Sequence, residues 1–290
     1  MLDEWIDDRI RWWWPYLGVA IVCGLLAGVV YSVWSNTEVT DHKVESVPAG
    51  FGSMEELTSL PKFRLAYLKA NGGEESLAAL QSVRASGVME SEGNTVPFFT
   101  MKRRPDMSLT TLKMPDYDLT FGVDGDVVWQ RVTAEGQEPQ YTLNSGEEAE
   151  ALGETGAFFD PIMGVLLFDQ GTIERLSPSQ WMGKEVMKIE FYSEESSIRA
   201  AAYVDIRTMQ PLARIEKFSD GRVRKVLYGD YRTVGGMMEP FEIKKYVDDI
   251  LQVRIVIDKS DANVGAILSL FKYPEHLPDA PTGARSESGN

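Results

Sequence analysis

Hydrophobic and polar positions alternate with a period of two along much of the chain between residues 83 and 259. Such alternation is typical of strands that bury one face of a sheet. It predicts eleven strands, near residues 83–90, 95–102, 107–114, 117–123, 126–133, 184–192, 197–205, 211–218, 222–231, 238–247 and 251–259. Turn signals such as Asp124-Gly125 favour short antiparallel connections. One sheet of about eleven meandering strands must curl, so we predict an α+β fold built on a curved antiparallel β half-barrel.

Helical segments precede and interrupt the strands. Ser53 and Glu56 have the spacing of a capping box, Pro61 can begin a second helical stretch, and residues 71–73 (Asn-Gly-Gly) end it. A further helical segment, the insert, runs from about residue 145 to 169. The predicted order is therefore a leading helix, strands, a helical insert and more strands.

The second half of the insert is apolar on every side. Phe158 and Phe159 precede Asp160 and Pro161, which can begin a helix over residues 162–168 (Ile-Met-Gly-Val-Leu-Leu-Phe). No face of this helix is suited to water, so it must be covered all round or lie across an apolar cavity. It is either a lid over a hydrophobic groove or a plain core helix, and the pattern alone leaves both open.

An uncharged stretch of 23 residues, 12–34, precedes the strands. As a helix it is about 34 Å long, enough to cross a hydrocarbon core of about 30 Å. Aromatic residues lie at both of its ends, and no small-residue cleavage site follows, so we expect an uncleaved anchor. Arg9 and Arg11 before it, against Lys43 after it, favour a cytoplasmic N-terminus with the main domain in the periplasm of a Gram-negative cell.

These patterns divide the chain into five parts. They are a short cytoplasmic tail (1–11), a transmembrane anchor helix (12–34), a linker (35–52), a half-barrel domain (53–275) and a disordered C-terminal tail (276–290).

Composition excludes several functional classes. The 44 acidic and 29 basic side chains leave a net charge of −15, which disfavours nucleic acid as a partner. A single cysteine excludes an internal disulfide framework, and two histidines in segments predicted to be unstructured make a catalytic triad or a histidine metal site very hard to build. We therefore expect no enzyme activity, no catalytic residues, no bound metal and no cofactor.

Two neighbouring arginines, Arg103 and Arg104, follow the predicted strand 95–102. Adjacent strand residues point to opposite faces, so one of the two must face the concave side if the strand continues that far. A buried arginine needs acceptors such as the carbonyls of a lid, which would make it a latch. The alternative is a pair of solvated arginines at the sheet edge.

Several short motifs resemble the periplasmic lipoprotein carriers of the Lol system, LolA and LolB, and the wider group of lipoprotein-sorting domains. They are Lys-Arg-Arg-Pro at 102–105, Asp-Gly-x-x-x-Trp at 124–129, Phe-x-x-Pro at 271–274 and the opening segment 67–87. The order of the predicted elements is also similar, and the resemblance covers roughly residues 54–275. A membrane anchor distinguishes this chain from the soluble carriers.

The resemblance implies an unclosed barrel, lidded by helices, that shelters the acyl chains of lipoproteins. It implies that Arg104 holds the lid and that Trp129 helps to line the cavity. The residues predicted to line the cavity or its lid are Phe121, Trp129, Phe158, Phe159, Ile162, Met163, Leu166, Leu167 and Phe168.

We accordingly predict a membrane-anchored, non-catalytic periplasmic module that binds an acylated lipoprotein or lipid. Its further partners would be the inner membrane, through residues 12–34, and an inner-membrane exporter or other membrane subunit. The alternative is an accessory or sensor subunit of an inner-membrane complex that uses the same fold as a docking surface.

Overall fold

A computed structural model describes residues 51–153, 156–193, 198–218, 221–275 and 277. Its helices are α1 (Met54–Leu57), α2 (Leu60–Ala70), α3 (Gly73–Ala79), α4 (Gly146–Gly153) and α5 (Pro161–Leu167), with a 3-10 helix at Leu268–Leu270. Its strands are β1 (Ser82–Ser91), β2 (Asn94–Arg103), β3 (Met107–Lys113), β4 (Tyr117–Asp124), β5 (Val127–Ala134), β6 (Gln140–Leu143), β7 (Gly171–Trp181), β8 (Lys184–Ser193), β9 (Ile198–Asp205), β10 (Pro211–Lys217), β11 (Val223–Val234), β12 (Met237–Val247) and β13 (Ile250–Ala262).

The predicted membrane anchor and cytoplasmic tail lie outside the described residues, as do most of the linker and the C-terminal tail. Within the described ranges, no helix has the length and apolarity needed to span a bilayer. The anchor therefore stays a prediction from the sequence.

The thirteen strands hydrogen-bond in the order β6-β5-β4-β3-β2-β1-β13-β12-β11-β10-β9-β8-β7. Most neighbours in this order are also neighbours in sequence, which is what short turns between antiparallel strands produce. The antiparallel sheet with few helices is confirmed, and the strand count of about eleven is corrected to thirteen.

The two strands that the pattern missed have local reasons. β6 has only four residues, too few to show a period. In β7 the pairing with β8 shifts between Ile173 and Arg175, which breaks the alternation, and Pro178 lies within the strand. β7 is the last strand in the sheet order. Proline is tolerated at such an edge because the N–H groups on the outer side of the strand do not pair with a neighbouring strand.

The predicted helix boundaries are confirmed at both helical segments. Ser53 caps α1 in a complete capping box with Glu56. α2 has proline in its first turn, ends at Ala70 and is followed by Asn71 as its C-cap. The apolar helix of the insert begins at Pro161. Proline suits this position because the first N–H groups of a helix have no partner within it.

The described residues divide into two compact units. Unit 1 holds the described residues up to Leu77, Ser91–Gly93 and Pro161–Ile255, and unit 2 holds Ala78–Glu90, Asn94–Asp160 and the described residues from Val256 onward.

The core of unit 1 forms where helices cover strands. Phe63 and Tyr67 of α2 are 0% and 1% exposed, and their rings stack with centroids 6.3 Å apart. Met187, Ile189 and Phe191 alternate along β8 and are at most 1% exposed, so they form the buried face of that strand. The apolar residues whose alternation predicted β8 are thus the residues on its buried face.

The core of unit 2 centres on β4, which is buried on both faces. Its residues Leu119–Val123 are buried without interruption. Consecutive buried residues on a strand require that other residues pack on both faces of the sheet. In unit 2 the insert packs on one face and the C-terminal segment packs on the other.

Gly87 of β1 marks a close approach between two backbones in unit 2. A side-chain carbon at this position would lie 2.0 Å from the carbonyl oxygen of Val256 in β13. We therefore expect Gly87→Ala to lower the free energy of unfolding by about 2 kcal/mol through overpacking. A shift of the urea midpoint measures the effect.

Gly229→Ala is the matched control for this substitution. Gly229 also lies within a strand, but its added carbon would find its nearest neighbour, Glu242, at an ordinary 3.5 Å. Its midpoint should stay the same or rise slightly, because alanine loses less backbone freedom than glycine on folding. Equal shifts for the two variants would contradict the close approach at Gly87.

Candidate functional site

The register between β4 and β5 separates the predicted site residues onto two faces. Phe121 lies opposite Gln130, and Gly122 lies opposite Trp129. Directly opposed residues share a face and consecutive residues do not. Phe121 and Trp129 are both buried, at 6% and 2% exposure, but they point to opposite sides of the sheet.

The insert covers the side that carries Phe121, which we call the insert face. Val123 and Val128 form an opposed pair on this side. A side-chain carbon at Gly156 would lie 2.7 Å from Val123 Cγ1, and one at Gly153 would lie 3.9 Å from Val128 Cγ2. The end of α4 and the chain after it therefore pack directly on the insert face.

Two cations at the end of β2 hold the segment that leads into α5. Lys102 Nζ donates a hydrogen bond to the carbonyl oxygen of Ala157 over 2.7 Å. The guanidinium carbon of Arg104 lies 5.5 Å from the ring centroid of Phe158 and 4.8 Å from that of Phe159. Burial lowers the pKa of Arg104, but a guanidinium stays charged in proteins and the ring faces attract it.

The rings of Phe158 and Phe159 pack on each other and together form the aromatic surface that Arg104 contacts. Their rings meet edge to face, with centroids 5.0 Å apart. Both side chains are half-buried, so their other surfaces remain accessible to solvent. Lys102, Arg104 and residues 157–159 together form what we call the latch.

Arg103 points away from the latch. Its Nη1 donates a hydrogen bond of 2.6 Å to the carbonyl oxygen of Ala266. β2 ends at Arg103, and Arg104 lies in the turn that follows, so the strand does not continue through both arginines. Of the two arginines, Arg104 contacts Phe158 and Phe159 of the insert. The contact of Lys102 was missed, although alternation along β2 does place Lys102 and Arg103 on opposite faces.

Trp129 fastens the C-terminal segment to the side opposite the insert face. Its Nε1 donates a 2.7 Å hydrogen bond to the carbonyl oxygen of Phe271. The indole can lie against the neighbouring strand because Gly122 has no side chain. A side-chain carbon added at Gly122 would lie 2.0 Å from the indole ring. Tyr141 lies 5.9 Å from Trp129 and 6.1 Å from Tyr273, measured between ring centroids. The structure thus places Trp129 beneath residues 271–273 and away from the insert.

In unit 1, α5 is an almost fully buried helix. Five consecutive residues are buried, and the four with side chains beyond Cα, Ile162, Met163, Val165 and Leu166, are between 0% and 6% exposed. The helix packs on β7 and β8 and also contacts α2. Burial on every side agrees with the apolar sequence and with both interpretations of it, lid and core.

The C-terminal end of α5 returns to the surface. Leu167 is half-buried and Phe168 is 37% exposed. Arg64 of α2 and Asp169 form an ion pair of 3.6 Å, in which the aspartate side chain is 87% exposed. An exposed pair of this kind contributes little, so apolar packing holds α5 in place.

Unit 1 also contains three charged side chains that the sequence pattern did not single out. Glu216 of β10 is 1% exposed, and one arginine binds each of its oxygens: Arg214 Nε lies 2.6 Å from Oε1, and Arg224 Nε contacts Oε2. The two arginine side chains are 11% and 20% exposed. We call Arg214, Glu216 and Arg224 the charged trio. Arg-x-Glu at alternate strand positions was the available signal, since it places both residues on one face.

A pocket of about 250 Å³ in unit 2 has a lining that is about equally polar and apolar. It is lined by Arg84, Ala85, Ser86, Phe99, Lys259 and Asp261. Asp261 lies 2.9 Å from Arg84 and 3.1 Å from Lys259, and these contacts lower the pKa of its carboxyl group. Among the described residues no group of three or more histidine, cysteine or acidic side chains could hold a metal ion.

Comparisons with known proteins find likeness in structure only. No protein-family profile matches the sequence, and no curated protein matches it. A LolA superfamily protein from Nitrosomonas europaea is similar with a TM-score of 0.46 and 10% identity, over 72% of this chain and 97% of that one. MucB is similar with a TM-score of 0.23 and 14% identity, over 77% of this chain and 64% of that one.

A chain in the complex structure of Pseudomonas aeruginosa MucA/MucB is also similar, with a TM-score of 0.23 and 14% identity, over 73% of this chain and 61% of that chain. The resemblance to LolA-like proteins that the sequence motifs indicated is therefore also found among solved structures.

The latch leads to a direct prediction. Arg104→Gln removes the charge that lies over Phe158 and Phe159, an interaction worth about 1 kcal/mol. Amide hydrogen exchange at residues 156–159 should then rise about fivefold, because this segment opens more often. Peptide-level exchange and mass spectrometry of the full chain measures the effect.

Arg103→Gln provides the matched control, since Arg103 is the adjacent arginine on the other side of the sheet. It should raise exchange near Ala266 and leave residues 156–159 unchanged. If both variants affected residues 156–159 alike, the assignment of the latch to Arg104 would be wrong.

Proposed function

We propose that this chain is a membrane-anchored, non-catalytic module that shelters acyl chains in the space that α5 occupies. The observation that supports the proposal most directly is the burial of five consecutive residues in a helix of only seven. The lid interpretation and the core interpretation differ in whether this helix can be displaced by a ligand.

The length of α5 favours a displaceable plug. Isolated helices shorter than about 12 residues are marginal in water, so α5 keeps its form only while packed. Its side chains within the buried stretch are purely apolar, and apolar burial is not directional. An acyl chain can therefore replace α5 against β7 and β8 without leaving a polar group unsatisfied there.

The latch is weak enough to be released. The contact of Arg104 with two rings is worth about 1 to 2 kcal/mol, and a hydrogen bond from a charged donor such as Lys102 contributes about 1.5 to 3 kcal/mol. Both contacts lie on the segment that leads into α5. Together they can hold the insert closed when no ligand is bound and still yield to a ligand of moderate affinity.

The energies of plug and ligand are of comparable size. Burial of Ile162, Met163, Val165 and Leu166 is worth roughly 6 to 12 kcal/mol at about 1.5 to 3 kcal/mol for each side chain. A buried 16-carbon chain gains about 12 kcal/mol at about 0.8 kcal/mol per methylene. One acyl chain therefore roughly balances the plug, and an amphiphile with two or three chains exceeds it. This favours acylated proteins and diacyl lipids over free fatty acids.

Residues 12–34 complete the proposal. As an anchor with its N-terminus in the cytoplasm, this stretch would keep the binding module at the periplasmic side of an inner membrane. A tethered module cannot diffuse across the periplasm, so it would receive or present cargo at that membrane, beside an exporter or another membrane subunit.

A photocrosslinking experiment on the full chain tests this function. The chain is purified in amphipol, incubated with a diacyl lipid probe whose 16-carbon chains carry a diazirine, photolysed and mapped by mass spectrometry. We expect adducts on peptides that cover α5 and β8. Adducts restricted to residues 12–34 would report partition around the anchor and would contradict an acyl site in the folded part.

Two leucine-to-alanine substitutions distinguish whether α5 is a plug that a ligand displaces or a core helix. Leu166→Ala weakens the packing of α5 and costs about 2 to 5 kcal/mol of stability. If α5 competes with the acyl chain, this variant should capture several times more probe. Leu80→Ala removes the same atoms from a leucine that is 1% exposed in unit 2, and it should lower stability without changing capture. Unchanged capture by Leu166→Ala would show that α5 is a core helix.

A docking subunit is the second candidate, and one observation favours it. Ile267, Leu268 and Leu270 around the short 3-10 helix are 65%, 42% and 43% exposed. Such a group of exposed apolar side chains suits a contact with another subunit. Stable copurification with a membrane protein, disrupted by Leu268→Glu and accompanied by no acyl adducts, would support this candidate instead.

A further inference from the structure

We infer that the pocket in unit 2 binds a zwitterionic group, in which a primary ammonium lies beside a phosphate or a carboxylate. This inference goes beyond the proposed acyl site. All the residues that line the pocket belong to unit 2, whereas α5 packs on β7 and β8 in unit 1. The two sites can therefore be tested separately.

Three neighbouring strands form the pocket, since β1 lies between β2 and β13 in the sheet. Arg84 and Ser86 are two residues apart on β1 and therefore share a face. The same holds for Lys259 and Asp261 on β13. Phe99 of β2 adds an aromatic ring to the lining. The pocket thus brings together two cations, a carboxylate, a hydroxyl group and an aromatic ring.

The pocket lies on the side of unit 2 opposite the insert face. Phe99 is opposite Thr111, and Thr111 is opposite Thr120. Thr120 is in turn opposite Arg131, which shares a face with Trp129 two residues before it. A ligand can therefore enter this pocket without release of the latch.

The size of the pocket selects a small ligand. Its volume of about 250 Å³ is below the range of about 300 to 1,000 Å³ that is typical of sites for drug-sized molecules. At about 30 Å³ per water molecule, the pocket has room for about eight waters. A phosphoethanolamine group or an α-amino acid is of similar size.

The charged side chains of the pocket offer a ligand both donors and an acceptor. Arg84 Nη2 donates a 2.9 Å hydrogen bond to Oδ2 of Asp261, and Lys259 Nζ lies 3.1 Å from the same oxygen. Nε and Nη1 of Arg84 can donate to an oxyanion, and Oδ1 of Asp261 can accept from an ammonium. The side chains of Arg84, Lys259 and Asp261 are 42%, 68% and 34% exposed, so a ligand can reach them.

A ligand that carries both charges suits this arrangement better than a simple anion. Hydrogen bonds from Arg84 and then Lys259 lower the pKa of Asp261, so its carboxylate stays ionised at neutral pH and repels an anion. The net charge of −15 on the whole chain also opposes the approach of a free anion. A net-neutral zwitterion avoids both penalties, because its oxyanion contacts the two cations while its ammonium contacts Asp261. The ring of Phe99 attracts the ammonium as well.

Saturation-transfer NMR on the full chain in amphipol tests this inference. The probe is glycerophosphoethanolamine, which is soluble in water and carries no acyl chain. For a ligand of this size we expect a Kd of about 1 mM. Glycerophosphate lacks the ammonium, and the ammonium of glycerophosphocholine has no N–H group. Both should bind about tenfold more weakly, the difference expected for one charged hydrogen bond. L-alanine shows whether a carboxylate can take the place of the phosphate.

Charge-changing variants test the pocket itself. Asp261→Asn should abolish the preference for glycerophosphoethanolamine over glycerophosphate, and it should leave the affinity for glycerophosphate unchanged or higher, because the repelling charge is gone. A purely structural role of Asp261 would not change selectivity in this way. Lys259→Gln should weaken the binding of both ligands, because it removes one of the two cations. Asp258→Asn is the matched control, since Asp258 is an exposed residue of the same strand that does not line the pocket.

Several results would overturn the inference. They are the absence of saturation transfer, equal affinity of the unaltered chain for glycerophosphoethanolamine and glycerophosphate, or a preference that survives Asp261→Asn. If Asp261→Asn fails to fold, Lys259→Gln decides, since unchanged affinities there contradict the site. Tighter binding of L-alanine than of glycerophosphoethanolamine would support the zwitterion site and assign it to an α-amino acid rather than to a lipid headgroup. The acyl site is judged separately, by adducts on peptides of α5 and β8.

Discussion

The alternation of side chains across an extended, hydrogen-bonded sheet is the constraint on which the rest of this structure depends. It sends the adjacent β2 residues Lys102 and Arg103 to opposite covers, Lys102 to the insert and Arg103 to the C-terminal segment. The same rule separates Phe121 from Trp129 and aligns Arg214 with Glu216. A register shift by one residue would exchange every one of these contacts, because the period of a strand is two.

The protein buries its cations in two different ways, and the difference bears on function. Arg104 lies over two aromatic rings, whose faces attract the guanidinium. Arg214 and Arg224 instead bind a fully buried carboxylate. In the proposed function the first arrangement is the contact that opens and closes, because the attraction of a cation to a ring face is modest. The second is suited to a fixed feature, because removal of one partner leaves a buried charge uncompensated.

Most of the secondary structure could be predicted because its signals are local. Eleven of the strands, the capping box at Ser53 and the start of α5 at Pro161 are all present. β7 was missed because a register shift near Ile173 interrupts the alternation, and β6 because four residues show no period. The candidate site was predicted in part. Arg104 does contact the insert. Lys102 and the charged trio were missed because their partners are set by long-range contacts, such as the pairing of β10 with β11 that places Glu216 opposite Arg224.

The sequence by itself determined the order of the strands along the chain and the apolar character of the insert, since these follow from residue types and their spacing. Only the tertiary structure decided which face each side chain occupies relative to its covers. It placed Trp129 under Phe271, the latch on residues 157–159 and Glu216 between two arginines. These contacts join residues far apart in sequence, and the pairing of strands that brings them together depends on long-range packing that no local pattern encodes.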